Sequence, residues 1–592
     1  MSFGQPVAAT PRIEMLRMKS LWPAALVVGL ASGGLAWGQS TLYVSPTGND
    51  AADGLTPATA WRSVEKVSAT AFQPGQTVLF ERGGEWRGRL SASSSGTAAA
   101  PIVYGAYGDG AKPRFYGSDI LNKAGFVGVG GGSMAGEIGA PLEVGSVLAD
   151  GQFLRSSAAV TRSADSAVNR AHVLANPGFW WRDDAASKLI VNTGGSIAAD
   201  PRRITAVTRD DVVFNNYRSH LVFRDLAADE TAFYDRGYAF RVQGGLNVRV
   251  ENSDAFRAGK HHFGVINSSE FVGKGLYAAI AMPDQGEGGA TALVSYSDNR
   301  YTGHTSAWQD VVVENMGGNN YPAWYSHGEG IGAITLDNIV SRGVSLSINE
   351  RTVARNVTVE NGSIVMYAGS LDGATLKGTG ASLTLWGNSV ARNVLIDRFK
   401  YASGYVSPVV VFGPNTTLEL STVTQDPTNP GFASMISFAN SQATLNLRGS
   451  IFSGPFGMNL SNSLVNLAQL TGNYNLFSAI SFTIPGMPGS HTLAQWAALT
   501  GRDLNSLMGT PGFIDALAGN YNLLPGSIGI DAIPAGLYPN VLLDRNGRQR
   551  LVGSGYDIGA FEGFTVIPEP GAAVWMGVAL AGLAMRRRRR TE

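Results

Sequence analysis

The sequence predicts an all-β chain wound as a parallel β-helix, and three observations carry that expectation. One six-residue form occurs three times, as Asn247-Val248-Arg249-Val250-Glu251-Asn252, Asp310-Val311-Val312-Val313-Glu314-Asn315 and Asn356-Val357-Thr358-Val359-Glu360-Asn361. Related segments at 269–274, 333–338, 393–397, 417–421 and 444–448 extend it. The first inward apolar positions then fall at Val248, Phe271, Val312, Ile334, Val357, Val394, Leu418 and Leu445, with gaps of 23, 41, 22, 23, 37, 24 and 27 residues. A repeat of about 20–25 residues is the mark of a solenoid. Glycine is also abundant, at 75 of 592 residues, which suits many short strands joined by turns.

Each repeat holds two or three runs of alternating apolar residues, the period of a strand with one face inward. Stacked coils bury that face and pair the backbone of each coil with the next. Asn after a strand suits the turns, because it tolerates left-handed backbone angles and its amide can ladder between coils. The gaps of 37 and 41 residues read as one turn with a loop inserted. Leucine-rich repeats share the period, but their leucine and helix signature is missing. A β-sandwich array is the competing architecture. Cysteine is absent, which excludes disulfides and thiolate chemistry. The 45 basic residues balance 45 acidic ones, leaving no electrostatic footprint for nucleic acid.

The two ends carry addresses. Arg12, Arg17 and Lys19 precede an apolar stretch at 21–37 that closes in Ala36-Trp37-Gly38, the layout of a secretory signal cleaved after Gly38. At the other end, Pro568-Glu569-Pro570 is followed by the uncharged run 572–585 and five arginines at 586–590. Fourteen apolar residues are fewer than the ~20 a spanning helix usually needs, and the arginines would hold its end on the cytoplasmic side. Order and spacing resemble the PEP-CTERM sorting signal. The resemblance implies an exosortase-type partner, a bacterial double-membrane envelope, and transient inner-membrane association through a C-terminal helix. The expected location is then the cell surface or extracellular matrix, after the tail is processed.

Tyr43-Val44-Ser45-Pro46-Thr47-Gly48-Asn49-Asp50, Gly54-Leu55-Thr56-Pro57-Ala58-Thr59-Ala60-Trp61 and Pro74-Gly75-Gln76-Thr77-Val78-Leu79-Phe80 resemble the entry of right-handed β-helix proteins of the pectate-lyase-like superfamily. That resemblance implies the hand of the solenoid and an N-terminal cap, but no particular reaction. Phe179-Trp180-Trp181-Arg182-Asp183-Asp184 and Leu189-Ile190-Val191 read as a hairpin-bearing insertion. Gly529-Ile530-Asp531, 544–550 and Tyr556-Asp557-Ile558-Gly559-Ala560-Phe561-Glu562 resemble the choice-of-anchor segment that ends many surface β-helices. Its Asp544, Arg548, Arg550, Asp557 and Glu562 are expected to form ion pairs that close the last coil. The expected organisation is a signal at 1–38, cap and first coils with the insertion at 39–205, regular coils at 206–480, a closing segment at 481–564 and the sorting tail at 565–592.

Polar and aromatic residues concentrate between Phe271 and Glu329, where aromatic faces beside carboxylates suit sugars. The candidate catalytic residues are Lys260, His261, His304, Asp310, His327 and Glu329. The candidate substrate-binding residues are Arg257, Arg300, Tyr301, Trp308, Trp324 and Tyr325. A uronate lyase would use the Lys260-His261-His262 group with Arg257, and Asp284 and Glu287 supply oxygen ligands of the kind Ca²⁺ takes. A glycoside hydrolase would need two carboxylates about 5–9.5 Å apart, drawn from Asp310, Glu329, Asp298 and Glu287. Adjacent His261 and His262 would point to opposite faces of a strand. No intact polygalacturonase-type aspartate set occurs. The expectation is a monomeric β-helix that binds polysaccharide, with lyase or hydrolase cleavage open. The alternative is a non-catalytic structural or adhesive surface protein.

Overall fold

The computed structural model describes residues 40–563, apart from 130–134, 140–142, 232–236, 282–290, 299–302, 315, 317–321, 328–330, 401–406, 430–433 and 462. The signal and sorting tail lie outside the described residues. No described helix is long and apolar enough to cross a membrane.

The chain is an all-β parallel solenoid. One 22-stranded sheet runs its length, and every pairing between its strands is parallel, from Thr41–Val44 through Phe271–Ala281 and Val390–Lys400 to Leu476–Ser481. A side sheet completes each coil. Its first stretch holds Leu90–Ser91, Asp211–Phe214, Tyr238–Gln243, His261–Ile266, Thr291–Tyr296 and Trp324–His327. Its second holds Leu346–Ile348, Ile364–Tyr367, Leu383–Trp386, Val409–Val411 and Ile436–Phe438. Inward residues stack coil on coil, as in the ring pairs Tyr104–Phe223 and Phe240–Phe263 at 5.1 and 4.9 Å.

The longest strands are bent, and the bend explains the uneven gaps. Gly275, Asp310, Asn338, Asn356, Gly373 and Asn393 occupy equivalent positions within six successive long strands, all with positive φ. Each strand therefore changes direction once and contributes to two walls of the coil. The side chains at the bend ladder: Asn338 donates to Asp310 at 2.8 Å, Asn356 to Asp337 at 2.9 Å, and Asn393 to Asp372 at 2.7 Å. The 37-residue gap is not one coil with a loop. Val357 pairs with Ala374 and Ala374 with Val394, so it is two short coils of 17 and 20 residues. The 41-residue gap crosses the bend, because Phe271 lies before it and Val312 after it. Val312 faces outward, while Val311 and Val313 enter the core.

Asn356→Val should cost about 1–2 kcal/mol, because a β-branched residue resists the left-handed angles at φ 52°. Asn356→Gly should retain most of the stability; urea denaturation of both variants checks this.

Both ends of the solenoid are covered. At the start, the helix Val64–Ala69 is N-capped by Ser63, whose hydroxyl Asp50 holds at 2.6 Å, and it buries Val64 and Val67. At the far end the helix Leu493–Thr500 buries Trp496, stacked on Phe482 at 5.5 Å. An insertion between Arg114–Tyr116 and Asp211–Phe214 forms two small sheets, mainly antiparallel, with their own apolar cluster around Trp180, Leu189 and Ile204. Buried charges tie it to the coils. Arg114 and Arg257 both pair with Asp229, while Ser118 and Thr205 from the insertion donate to Glu230.

The closing segment does not simply end the last coil. It folds back along the bend: Asn393 donates to the carbonyl of Leu543, Arg545 to Thr375, and the Gly559 N–H to Gly449. Arg550 is 0 % exposed and donates to Asn393, the Gly559 carbonyl and Glu562.

Candidate functional site

The side sheet brings residues of separate coils into rows, because each strand there is short and its positions line up across coils. In the first stretch these residues are mostly buried, whereas Tyr325, Tyr367 and Trp386 are exposed. In register, one row runs Asp211, Tyr238, His261, Thr291 and the next Phe214, Arg241, Gly264, Val294, Tyr325. Arg241 pairs with Asp211 at 3.0 Å and lies over the rings of Phe214 and Tyr238 at 5.4 and 5.2 Å. Gly264 leaves room for the Tyr238 ring, whose atoms stand 2.5 Å from where a Cβ would be. Burial pushes the Asp211 carboxyl up to about 6 against the pull of Arg241. Its Oδ1 and the Arg241 Nε are both buried without a hydrogen-bond partner.

The second stretch carries a stacked aromatic strip. Tyr367, Trp386 and Phe412 follow one another over three coils at 5.6 and 4.5 Å, with interplanar angles of 25° and 10°. Where the long sheet turns toward these strands, a cavity of about 280 Å³ is lined by Glu360, Asn361, Lys377, Gly378, Asp397, Arg398, Lys400 and Asp426. Lys377–Glu360, Arg398–Asp397 and Lys400–Asp426 pair at 2.9, 3.0 and 3.4 Å, and in each pair the cation is the more exposed partner. The rim is therefore cationic over carboxylates that hold it in place. Hydrogen bonds from Thr428 keep the Asp426 carboxyl below its usual range.

The residues expected from sequence divide. His261 lies on the outer row, its Nδ1 donating to the Thr291 carbonyl at 3.2 Å, and Tyr325 is exposed on the same face. Lys260 is half-buried on the turn before His261. His327 ends the strand opposite Tyr296, but its side chain is outside the described set. Asp284, Glu287, Arg300, Tyr301 and Glu329 also lie outside the described residues. Among the described residues no group of three or more His, Asp and Glu side chains stands ready for a metal ion.

Five of the expected residues are placed elsewhere. Trp308 and Trp324 are core residues, packed ring to ring at 5.4 Å inside the coil, and offer no face to a sugar. Asp310 is a bend residue held by Asn338, away from the side sheet. Arg257 is committed to Asp229 beneath the insertion. His304 is fully buried and its Nδ1 accepts the Ser268 N–H at 3.1 Å, so it holds a turn and touches no solvent.

Burial lowers both His262 and His304 to about 4. A histidine kept neutral binds fewer protons folded than unfolded, so stability rises with pH. The contribution is complete above the unfolded value near 6.5 and is lost as pH falls toward about 4. Asp211 has the opposite sign: raised to about 6, it binds more protons folded, and its contribution declines as pH climbs from about 4 to 6. Denaturation midpoints at pH 4.5 and 7 for His262→Asn against wild type should show a shallower pH slope in the variant.

The sequence reading missed Asp211, Tyr238, Arg241, Tyr367, Trp386 and the charged cavity. A signal existed, since Asp211, Tyr238 and His261 are spaced by 27 and 23 residues, the same period as the long sheet.

No family model matches the sequence, and no curated protein matches it. Among solved structures, a complex of XylC with xylose aligns with 80 % of this chain and 87 % of its own at 9 % identity and a TM-score of 0.45. Pectate lyase Pel9A aligns with 88 % and 96 % at 11 % identity and a TM-score of 0.31. The GH136 lacto-N-biosidase from Eubacterium ramulus aligns with 79 % and 67 % at 12 % identity, also at 0.31.

Proposed function

We propose that the chain is an exported cell-surface or extracellular-matrix protein that binds polysaccharide along the outer face of its side sheet. One observation carries this reading. Among the described residues the exposed aromatic side chains are Tyr217, Tyr325, Tyr367 and Trp386, 37 to 58 % exposed. Three lie on strands of the side sheet and the fourth follows one directly. Exposed rings gathered on and beside these strands mark the side sheet for contact. Sugar rings bury apolar area on such a strip, and the cationic rim of the cavity on the same coils suits a glycan bearing anionic groups. Export and surface sorting rest on the signal at the start and the Pro568-Glu569-Pro570 tail, which an exosortase-type enzyme would process.

Trp386→Ala and Tyr367→Ala should each weaken glycan binding about fivefold to tenfold, the equivalent of ~1–1.4 kcal/mol, with the fold retained and a smaller loss of stability than a core ring would cause. Binding to a panel of neutral and acidic polysaccharides by calorimetry tests it; equal affinity of wild type and both variants would remove the face from consideration.

Cleavage is the second reading, and Asp211 favours it. A carboxyl raised to about 6 by burial still holds part of its proton in mildly acidic solution, as a general acid requires. It is buried on a side-sheet strand, pairs with Arg241 and stands next in register to Tyr238. Asp211→Asn should then abolish any new reducing ends or unsaturated uronate absorbance without changing binding. A chain that binds and releases no product, with or without Ca²⁺, is the adhesive or structural protein.

A further inference from the structure

Apolar exposure is concentrated beside the end of the chain. Of the 25 exposed large hydrophobic side chains among the described residues, 12 fall within 499–552, so the closing segment is far greasier outside than the coils it clasps. Four of them share one hairpin. Leu543 bridges antiparallel to Gln549, the Arg550 N–H donates to the Leu542 carbonyl at 2.8 Å, and Leu551 and Val552 follow at once. Leu542, Leu543, Leu551 and Val552 are 42 to 66 % exposed.

The hairpin is tied down at several points. Buried Arg550 anchors it from beneath, and the N–H groups of Leu551 and Val552 both donate to Glu562 at 3.1 and 3.2 Å. Those bonds also place the aliphatic side chains next to the point where the described chain leaves, at Gly563. Eight residues separate Gly563 from the apolar run 572–585, and they span at most about 29 Å when fully extended.

We propose that this aliphatic hairpin docks on a lipid bilayer surface while the C-terminal run is inserted in it. This rests on the sorting-tail reading above. The short tether keeps the hairpin close to the lipid, and aliphatic side chains on a fixed turn lose little conformational freedom on entering the interface. Docking would orient the solenoid relative to the membrane before the tail is processed.

The absence of cysteine makes a direct test simple. The full chain carrying Leu543→Cys, labelled with an environment-sensitive nitrobenzoxadiazole dye, is mixed with phosphatidylethanolamine–phosphatidylglycerol vesicles and floated. The same chain labelled through Leu55→Cys, an exposed site in the N-terminal cap, is the control. The expected result is flotation of both, with a several-fold rise and blue shift at position 543, quenching by lipid-borne nitroxide, and no change at 55. A floated chain whose label at 543 stays water-like overturns docking and leaves the tail reading standing. A label already shielded before lipid is added also overturns it, and assigns the patch to the chain's own tail or a second copy. A chain that does not float removes the tail reading, and this inference falls with it.

Discussion

Replacing Arg550 with methionine should lower stability by about 3–5 kcal/mol, the cost of removing one partner from a buried charged network. The side chain has no solvent exposure, and its two terminal nitrogens donate to Glu562, Asn393 and the Gly559 carbonyl. Its loss strands the carboxylates of Glu562 and Asp557, both already held above their usual range by burial. The deficit should be larger at pH 7 than at pH 5. Both groups have raised folded values, so the folded state takes up protons more readily as pH falls, and protonation relieves the stranded charge. Urea midpoints at the two pH values measure this. A deficit under about 1 kcal/mol at pH 7 would mean that the clasp is held by its backbone contacts alone. Leu543 and Arg545 hang on the same hairpin and reach back 150 and 170 residues to Asn393 and Thr375, so protease sensitivity of 503–563 should rise together with the loss of stability.

Trp308→Ala should cost about 3–5 kcal/mol, as a large ring removed from a packed interior leaves a cavity. The indole touches Phe271 at 4.9 Å and Trp324 at 5.4 Å, and its N–H donates to Ser306 at 3.1 Å. Trp386→Ala should cost less, about 1–2 kcal/mol for two lost ring stacks, and should lower glycan affinity. Measuring both quantities on both variants separates an inward ring from an outward one. If Trp308→Ala kept its melting temperature, the parity described for that strand would be wrong.

These two tryptophans mark how far the sequence could be read. Both sit in β-branched, alternating runs with polar neighbours, and composition does not separate them. What separates them is strand parity. In His304–Glu314 the buried positions are 304, 306 and 308, then 311 and 313. The left-handed residue at Asp310 consumes one step and resets the alternation. An inward/outward assignment made across the bend therefore turns over, as it did for Val312. The same reset hid the coil length, because positions before and after the bend have equal apolar character but belong to different walls.

The site was legible only in part, for a related reason. His261 and Tyr325 were visible because they lie in a cluster of polar and aromatic residues. Asp211, Tyr238 and Arg241 come from separate coils, and Tyr367, Trp386 and the cavity from later ones, so no local window holds them. Their union depends on the register of short side-sheet strands, and that register is set by how many residues each intervening turn contains.

The solenoid architecture itself was written in local terms. The period, the alternation and the bend-tolerant Asn residues each act within one coil or between neighbours, and each points to the same parallel stack. Which side chains share a face, which tryptophan is wet, and where the closing segment lies were settled at longer range. They follow from parity across the bends, from coil lengths that vary between 17 and 36 residues outside the coil with the insertion, and from a clasp that joins residues 150 or more apart. A solenoid is quasi-one-dimensional, so nearest-neighbour chemistry is enough to specify its coil. Its faces accumulate every insertion and every bend along the way, and only the folded stack sums them.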